Sequence, residues 1–157
     1  FTWAGTGWDT HIDNLDDGMG VNISIAEVNG PYGAKRLEIS CEFSPPGGDD
    51  TAPAASAEAY DMLPRLLYSA NALTFENLDM LYGASDTGWM CMNTEVGHYY
   101  GEVYGQYIGG TGRFEQATGE WTTSFAGQRL EPITLEPVGF RSIYGEVEGY
   151  VEFPEVD

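Results

Sequence analysis

The chain has 157 residues, 42% hydrophobic and 13% aromatic, which is enough to bury a core in one domain and too apolar for a disordered segment. Six Lys+Arg stand against 25 Asp+Glu, a net charge of −19, so phosphate backbones and anionic bilayers are repelled and nucleic acid is excluded as a partner. No apolar run approaches the roughly 20 residues of a membrane helix, so no membrane span is expected.

Strand-sized patterns recur from the first residues onward. Residues 2–8 carry Trp3 and Trp8 around Gly5 and Gly7. Val21, Ile23 and Ile25 follow at period two. Leu37, Ile39, Cys41 and Phe43 alternate with Glu38, Ser40 and Glu42, which predicts a half-buried strand with one apolar and one wet face. Residues 44–59 break the pattern with Pro45-Pro46-Gly47-Gly48-Asp49-Asp50 and an Ala/Ser/Pro-rich run, and read as a long loop. Pro64 argues against a central strand over residues 60–69. Strands are expected again over residues 72–82 and 87–93.

The last third is the clearest. Tyr99, Gly101, Val103, Gly105 and Tyr107 share one face of a strand, with Tyr100, Glu102, Tyr104 and Gln106 on the other. Ile143, Gly145, Val147, Gly149, Val151 and Phe153 oppose Tyr144, Glu146, Glu148, Tyr150 and Glu152 in the same way. Glycines interleaved with apolar residues on the inner face suit a sharply curved sheet. Residues 109–119, which follow one strand and precede another at residues 120–127, hold four glycines and one large apolar residue, Phe114. Such a connection needs positive φ or close backbone approach, and Phe114 is placed to plug the end of a core. About eight strands and few helices predict a closed antiparallel β-barrel over residues 1–157, with a β-sandwich as the runner-up.

Several features point outside the cell. The chain opens on Phe1 rather than Met, as expected of a mature protein whose signal peptide is gone. In an exported protein the pair Cys41 and Cys91 suggests a disulfide; buried thiols are the alternative. Asn22-Ile23-Ser24 is a glycosylation sequon.

The Gly109-Gly110-Thr111-Gly112-Arg113-Phe114 core, with its flanking strands, resembles the allene oxide cyclase and dirigent family of small barrels. The resemblance covers roughly the C-terminal half (residues 73–91, 101–127 and 142–151) and is nearest to uncharacterised exported bacterial members. It implies an eight-stranded antiparallel barrel, often oligomeric. Allene oxide cyclases isomerise an oxidised fatty acid inside the barrel, and dirigent proteins steer the coupling of phenolic radicals. No catalytic or ligand-binding residue of either group aligns with a position here, so none is carried over.

Candidate chemistry is sparse. Asp13, Asp16 and Asp17 around Gly18 resemble a calcium loop, although Leu15 and Ser24 occupy positions where an EF-hand needs ligands; the alternative is an acidic surface turn. Calcium is the sole cofactor this pattern suggests. Glu76 and Asn77 stand in an otherwise apolar stretch. A carboxylate turned into a barrel would have a raised pKa and serve as a general acid or base, with Asn77 orienting; otherwise that face is simply wet. Tyr99 and Tyr107 are the candidates for orienting an amphipathic ligand. Arg113 is expected to pair with an acidic neighbour or loop carbonyls at the barrel's end. Met80, Met90 and Met92 read as core filler. No serine elbow, triad or dinucleotide loop is present.

Two functions follow. The first is an exported, non-catalytic barrel that either binds small hydrophobic molecules or self-associates into a surface assembly, with residues 1–8 as a donor strand through Phe1, Trp3 and Trp8. The second is an isomerase or cyclase acting on an oxidised lipid or a phenolic substrate within the barrel.

Overall fold

The computed structural model describes residues 1–10, 21–43, 65–93, 95–130 and 140–154, with backbone alone at 8–10, 21 and 140. The expected calcium loop at Asp13, Asp16 and Asp17 and the long loop at 44–59 lie outside the described residues. Eight strands follow in order: β1 (Thr2–Thr10), β2 (Val21–Asn29), β3 (Ala34–Phe43), β4 (Leu66–Phe75), β5 (Met80–Asn93), β6 (His98–Gly110), β7 (Thr118–Arg129) and β8 (Phe140–Glu152). Each pairs antiparallel with the next, and β8 returns to β1, so the sheet closes into a barrel. Closure removes the sheet edges that otherwise invite pairing with another chain.

The alternation sets the faces of β3, β6 and β8 as expected. Leu37, Tyr99, Val103, Tyr107, Ile143 and Val147 are buried in one interior cluster. The outward face carries Glu102, Glu120, Glu146, Glu148 and Glu152, whereas the outside of a lipid-embedded barrel is apolar.

The inward glycines do more than permit curvature. A Cβ on Gly145 would stand 2.6 Å from the Trp3 indole, and one on Gly101 would stand 2.7 Å from the Phe125 ring. Gly105 lies under the Trp121 indole and Gly127 under the Tyr99 phenol. Each glycine is thus a seat for an aromatic ring rooted on a neighbouring strand, a pairing that restores the packing a bare glycine lacks. Of the four tryptophans, Trp3 and Trp121 fill the interior in this way, while Trp89 is half-buried on the outer face, edge-on to Tyr100 at 5.4 Å.

β2 turns the other way from its hydrophobic pattern. Asn22, Ser24 and Ala26 are buried, and Ile23 and Ile25 take the outer face half-buried. The register explains this: Gly5 and Gly7 of β1 face Ala26 and Ser24. The backbones approach so closely there that a Cβ on Gly5 would stand 2.8 Å from that of Ala26, so small residues must line the inside. The Asn22 sequon is consequently buried at 8% exposure and offers no accessible acceptor in the folded chain.

Residues 72–82 are a hairpin rather than one strand. β4 ends at Phe75 and β5 begins at Met80. Asn77 Oδ1 accepts from Asp79 N at 3.2 Å, and Leu78 N donates to the Phe75 carbonyl at 2.9 Å. Such a side-chain-to-backbone bond is how Asn starts a turn. Leu78 takes φ +69°, a conformation usually left to glycine, which is why no breaker marks the turn in the sequence. β5 in turn runs through residues 87–93 from Met80, with a bulge between Ala84 and Thr87. There Ser85 Oγ accepts from Thr87 N at 3.1 Å and donates to the Tyr104 carbonyl at 2.5 Å, replacing the interrupted ladder bonds.

Two further expectations are corrected. Cys41 and Cys91 form no disulfide. Cys41 lines the interior, and the register carries it across Ser69 of β4 to Ser85 of β5, not to Cys91. Cys91 sits between inward Met90 and Met92 and so points to the opposite side of the wall. The donor-strand role of residues 1–8 is also not met. β1 is hydrogen-bonded on both sides, to β2 and β8, and Trp8 pairs along the backbone with Ile23 and Phe140. Phe1 N donates to the Val147 carbonyl at 2.8 Å, and Val147 N returns a bond to the Phe1 carbonyl at 2.7 Å. Phe1 and Trp3 line the chain's own interior.

Candidate functional site: the barrel interior

The interior has two ends of different character. At the end where β8 begins, Arg141 is buried at 5% exposure, among Asn22, Ser24 and Tyr99. Its Nη2 donates to Asn22 Oδ1, and its guanidinium stands 5.7 Å from the Tyr99 ring centroid. Tyr99 OH donates to the Ser142 carbonyl at 2.9 Å, which fixes the ring under Arg141. Below this polar group the walls turn apolar, with Leu37, Ile39, Leu73, Met90, Val103 and Phe125 around a cavity of about 70 Å³. That is about half the ~150 Å³ of an apolar cavity that holds benzene. It suits a water cluster or a slender chain, not a ring system.

The opposite end is closed by the glycine-rich connection. Phe114, in a 3-10 turn at Gly112–Phe114, is 4% exposed and lies 4.5 Å from Phe75 and 5.9 Å from Phe153 between ring centroids. Gly112 has φ +57° and lies directly against the Asp79 carboxylate, which leaves no room for a side chain. Arg113 fixes this cap as expected. Its Nη2 donates to the Tyr32 carbonyl at 2.9 Å, its Nε lies 3.8 Å from Asp79 Oδ2, and its guanidinium stacks 4.8 Å from both Phe75 and Phe114. A second hollow of about 470 Å³ lies at this end. Phe1, Leu73, Tyr107 and Val147 line both hollows and form the partition between them.

Tyr99 and Tyr107, read from the sequence as ligand-facing, both lie in the interior at 2% and 8% exposure. Burial pushes the Tyr107 phenol up to about 12. A tyrosine in the unfolded chain ionises near pH 10, so between about pH 10 and 12 unfolding releases a proton and stability falls as pH rises. The contribution is complete below pH 10 and lost above 12. Tyr107→Phe is expected to flatten this alkaline loss by about 2–3 kcal/mol relative to the unaltered chain. Urea titrations of both proteins from pH 9 to 12 check it, and identical slopes would refute it.

Glu76 and Asn77 are not interior groups. Both are exposed in the β4–β5 turn. Glu76 pairs with Lys35 at 2.7 Å, and the hydrogen bond and charge of that ammonium lower its pKa, the reverse of the shift a buried acid would show. Asn77 Nδ2 donates to Asp79 Oδ2 at 2.7 Å, so its amide serves the turn. The structure therefore removes the geometric basis for their acid–base role. Outward Tyr104 donates to Glu102 at 2.5 Å, which raises its pKa, and the Glu120 charge raises that of Tyr150. Met90 and Met92 are core, while Met80 is only half-buried.

Arg141, Asn22, Asn71 and Trp121 were not legible as a site. They come from β8, β2, β4 and β7, and only closure brings them around one cavity. The sole sequence cue was Arg141 itself, one of six basic residues, next to a strand start. Among the described residues no group of three or more His, Cys, Asp or Glu is arranged to hold a metal, and no helix is long and apolar enough to cross a membrane. Compared with known proteins, the chain matches no family model, no curated protein and no solved structure.

Proposed function

We propose that this protein is an exported, non-catalytic barrel that binds a small hydrophobic molecule in its interior. The observation that carries the reading is the apolar interior cavity, headed by Arg141, Asn22 and Tyr99 at one end and bounded at the other by Phe1, Leu73, Tyr107 and Val147. An apolar pocket with a few convergent polar groups is the usual form of a small-molecule site. Binding is preferred to assembly because β1 is already paired on both sides. It is preferred to isomerisation because Glu76 and Asn77 stand on the outer rim. The resemblance to allene oxide cyclase and dirigent barrels enters as analogy of fold and carries no activity with it.

Thermal unfolding in the presence of short alkanes, alkanols and toluene tests the reading. A slender chain compound at 100 times its Kd adds about 2.7 kcal/mol, which raises Tm by roughly 5–10 °C for a domain of this size. Toluene is expected to do little, because its ring exceeds the cavity. A flat Tm across the whole series would refute the binding reading.

A further inference from the structure

The interior holds two buried indoles, and the chain treats them differently. Trp3 Nε1 donates to Thr123 Oγ1 at 3.4 Å. Trp121 is 5% exposed, lines the cavity, and its Nε1 has no hydrogen-bond partner among the described residues. An indole N–H is a donor only, and leaving it buried and unbonded costs about 1–3 kcal/mol. Its position is defined by Gly83: a Cβ there would stand 2.9 Å from Trp121 Nε1 and 2.7 Å from Asn71 Oδ1. The two side chains therefore meet over Gly83, packed against the position its Cβ would take. The Asn71 amide also lines the cavity and supplies two further donors.

We infer that the Trp121–Asn71 pair is the polar contact point of the cavity's ligand: a slender, uncharged apolar chain bearing one hydrogen-bond-accepting oxygen of the ketone or ether type, which receives Trp121 Nε1–H with the Asn71 amide beside it. The inference rests on the binding reading above and adds the chemical class of ligand. A donor-only indole selects an acceptor, and a chain that is merely apolar leaves the N–H unbonded. A site built to hydrogen-bond an oxygen discriminates against the analogue that lacks it, because the site's own polar group is then stranded. Slenderness follows from the cavity of about 70 Å³, and a longer chain extends past Tyr107 toward the second hollow.

The test compares acetone with propane on the intact chain, read by the indole N–H resonances of nitrogen-15-labelled protein. Trp121→Phe identifies the Trp121 signal by its disappearance, and a through-space contact to the Asn71 side-chain amide identifies it independently if that variant does not fold. The ketone is expected to bind about tenfold more tightly than the alkane and to move the Trp121 N–H downfield, while propane leaves it in place. Trp121→Phe is expected to abolish the preference. Equal affinities with an unmoved Trp121 signal would overturn the assignment of this pair and leave the binding reading standing. Failure of both compounds to bind would overturn the two together.

Discussion

Gly105→Val is expected to be among the most damaging single substitutions in this protein, costing about 3–5 kcal/mol by overpacking a seat that has no slack. The Gly105 position lies under the Trp121 indole and close to the Ala84 carbonyl of β5, 2.7 Å from where a Cβ would stand. The indole cannot lift away, since Trp121 is itself 5% exposed and rooted on β7 opposite Gly105 and Gly149. For a domain of this length the loss translates to a Tm lower by roughly 6–20 °C. Urea denaturation checks it, with Gln106→Ala on the outward face as the comparison, expected within about 0.5 kcal/mol of the unaltered chain. Pairing Gly105→Val with Trp121→Leu should recover part of the loss, because the two changes share one volume. If Gly105→Val proved as mild as Gln106→Ala, the description of inward glycines as ring seats would be wrong.

Phe114→Ala is the second large effect, and it separates the cap from the wall. Removing a buried phenylalanine costs about 3–5 kcal/mol through lost burial and the cavity left behind. Here it also strips the face on which Arg113 stacks and one neighbour each from Phe75 and Phe153. The barrel strands do not pass through Phe114, so their pairing should survive. The expected signature is a lowered midpoint with an unchanged m-value, together with faster acrylamide quenching of the interior tryptophans, because the end of the barrel opens onto Tyr107 and the partition behind it. A lowered midpoint with unchanged quenching would mean that Phe114 stabilises the end without closing it.

The two variants also show how unevenly the sequence exposed this molecule. The ring seats were half visible: glycines at alternate positions of β6 and β8 marked an inner face, but not the rings that occupy it. The rings come from other strands (Trp3 of β1 over Gly145, Trp121 of β7 over Gly105), and the pairing is a property of register, which a single strand does not encode. The cap at Phe114 and Arg113 was more legible, because a dense glycine run around one large apolar residue has few structural uses.

The misreadings have physical causes of the same kind. Period two groups Ile23 and Ile25 on one face without saying which face is inside, and Gly5 and Gly7 draw β1 against β2 so tightly that Ser24 and Ala26 take the inside. Glu76 looked like an interior acid because the turn beside it runs through Leu78 at positive φ without a glycine. Asn77 carried the turn signal, but Glu76-Asn77-Leu78-Asp79 holds no glycine or proline and is a weak cue.

What the sequence determined by itself is the class and closure of the fold. Period-two alternation recurring over about eight segments, with glycine on the inner face of β6 and β8, is satisfied by burying one side of every strand, and a closed barrel does this while leaving no edge. The acidic outer surface was equally determined, since every second residue of these strands must face out. Only the tertiary structure decided the site. Arg141, Asn22, Asn71 and Trp121 meet because β8, β2, β4 and β7 curve around one axis, and whether an inward group finds a partner depends on strands far away in the chain. Trp3 finds Thr123 and Trp121 finds no partner among the described residues, although both are inward tryptophans over glycine, because the register sets a hydroxyl beside one indole and sets the other against Gly83.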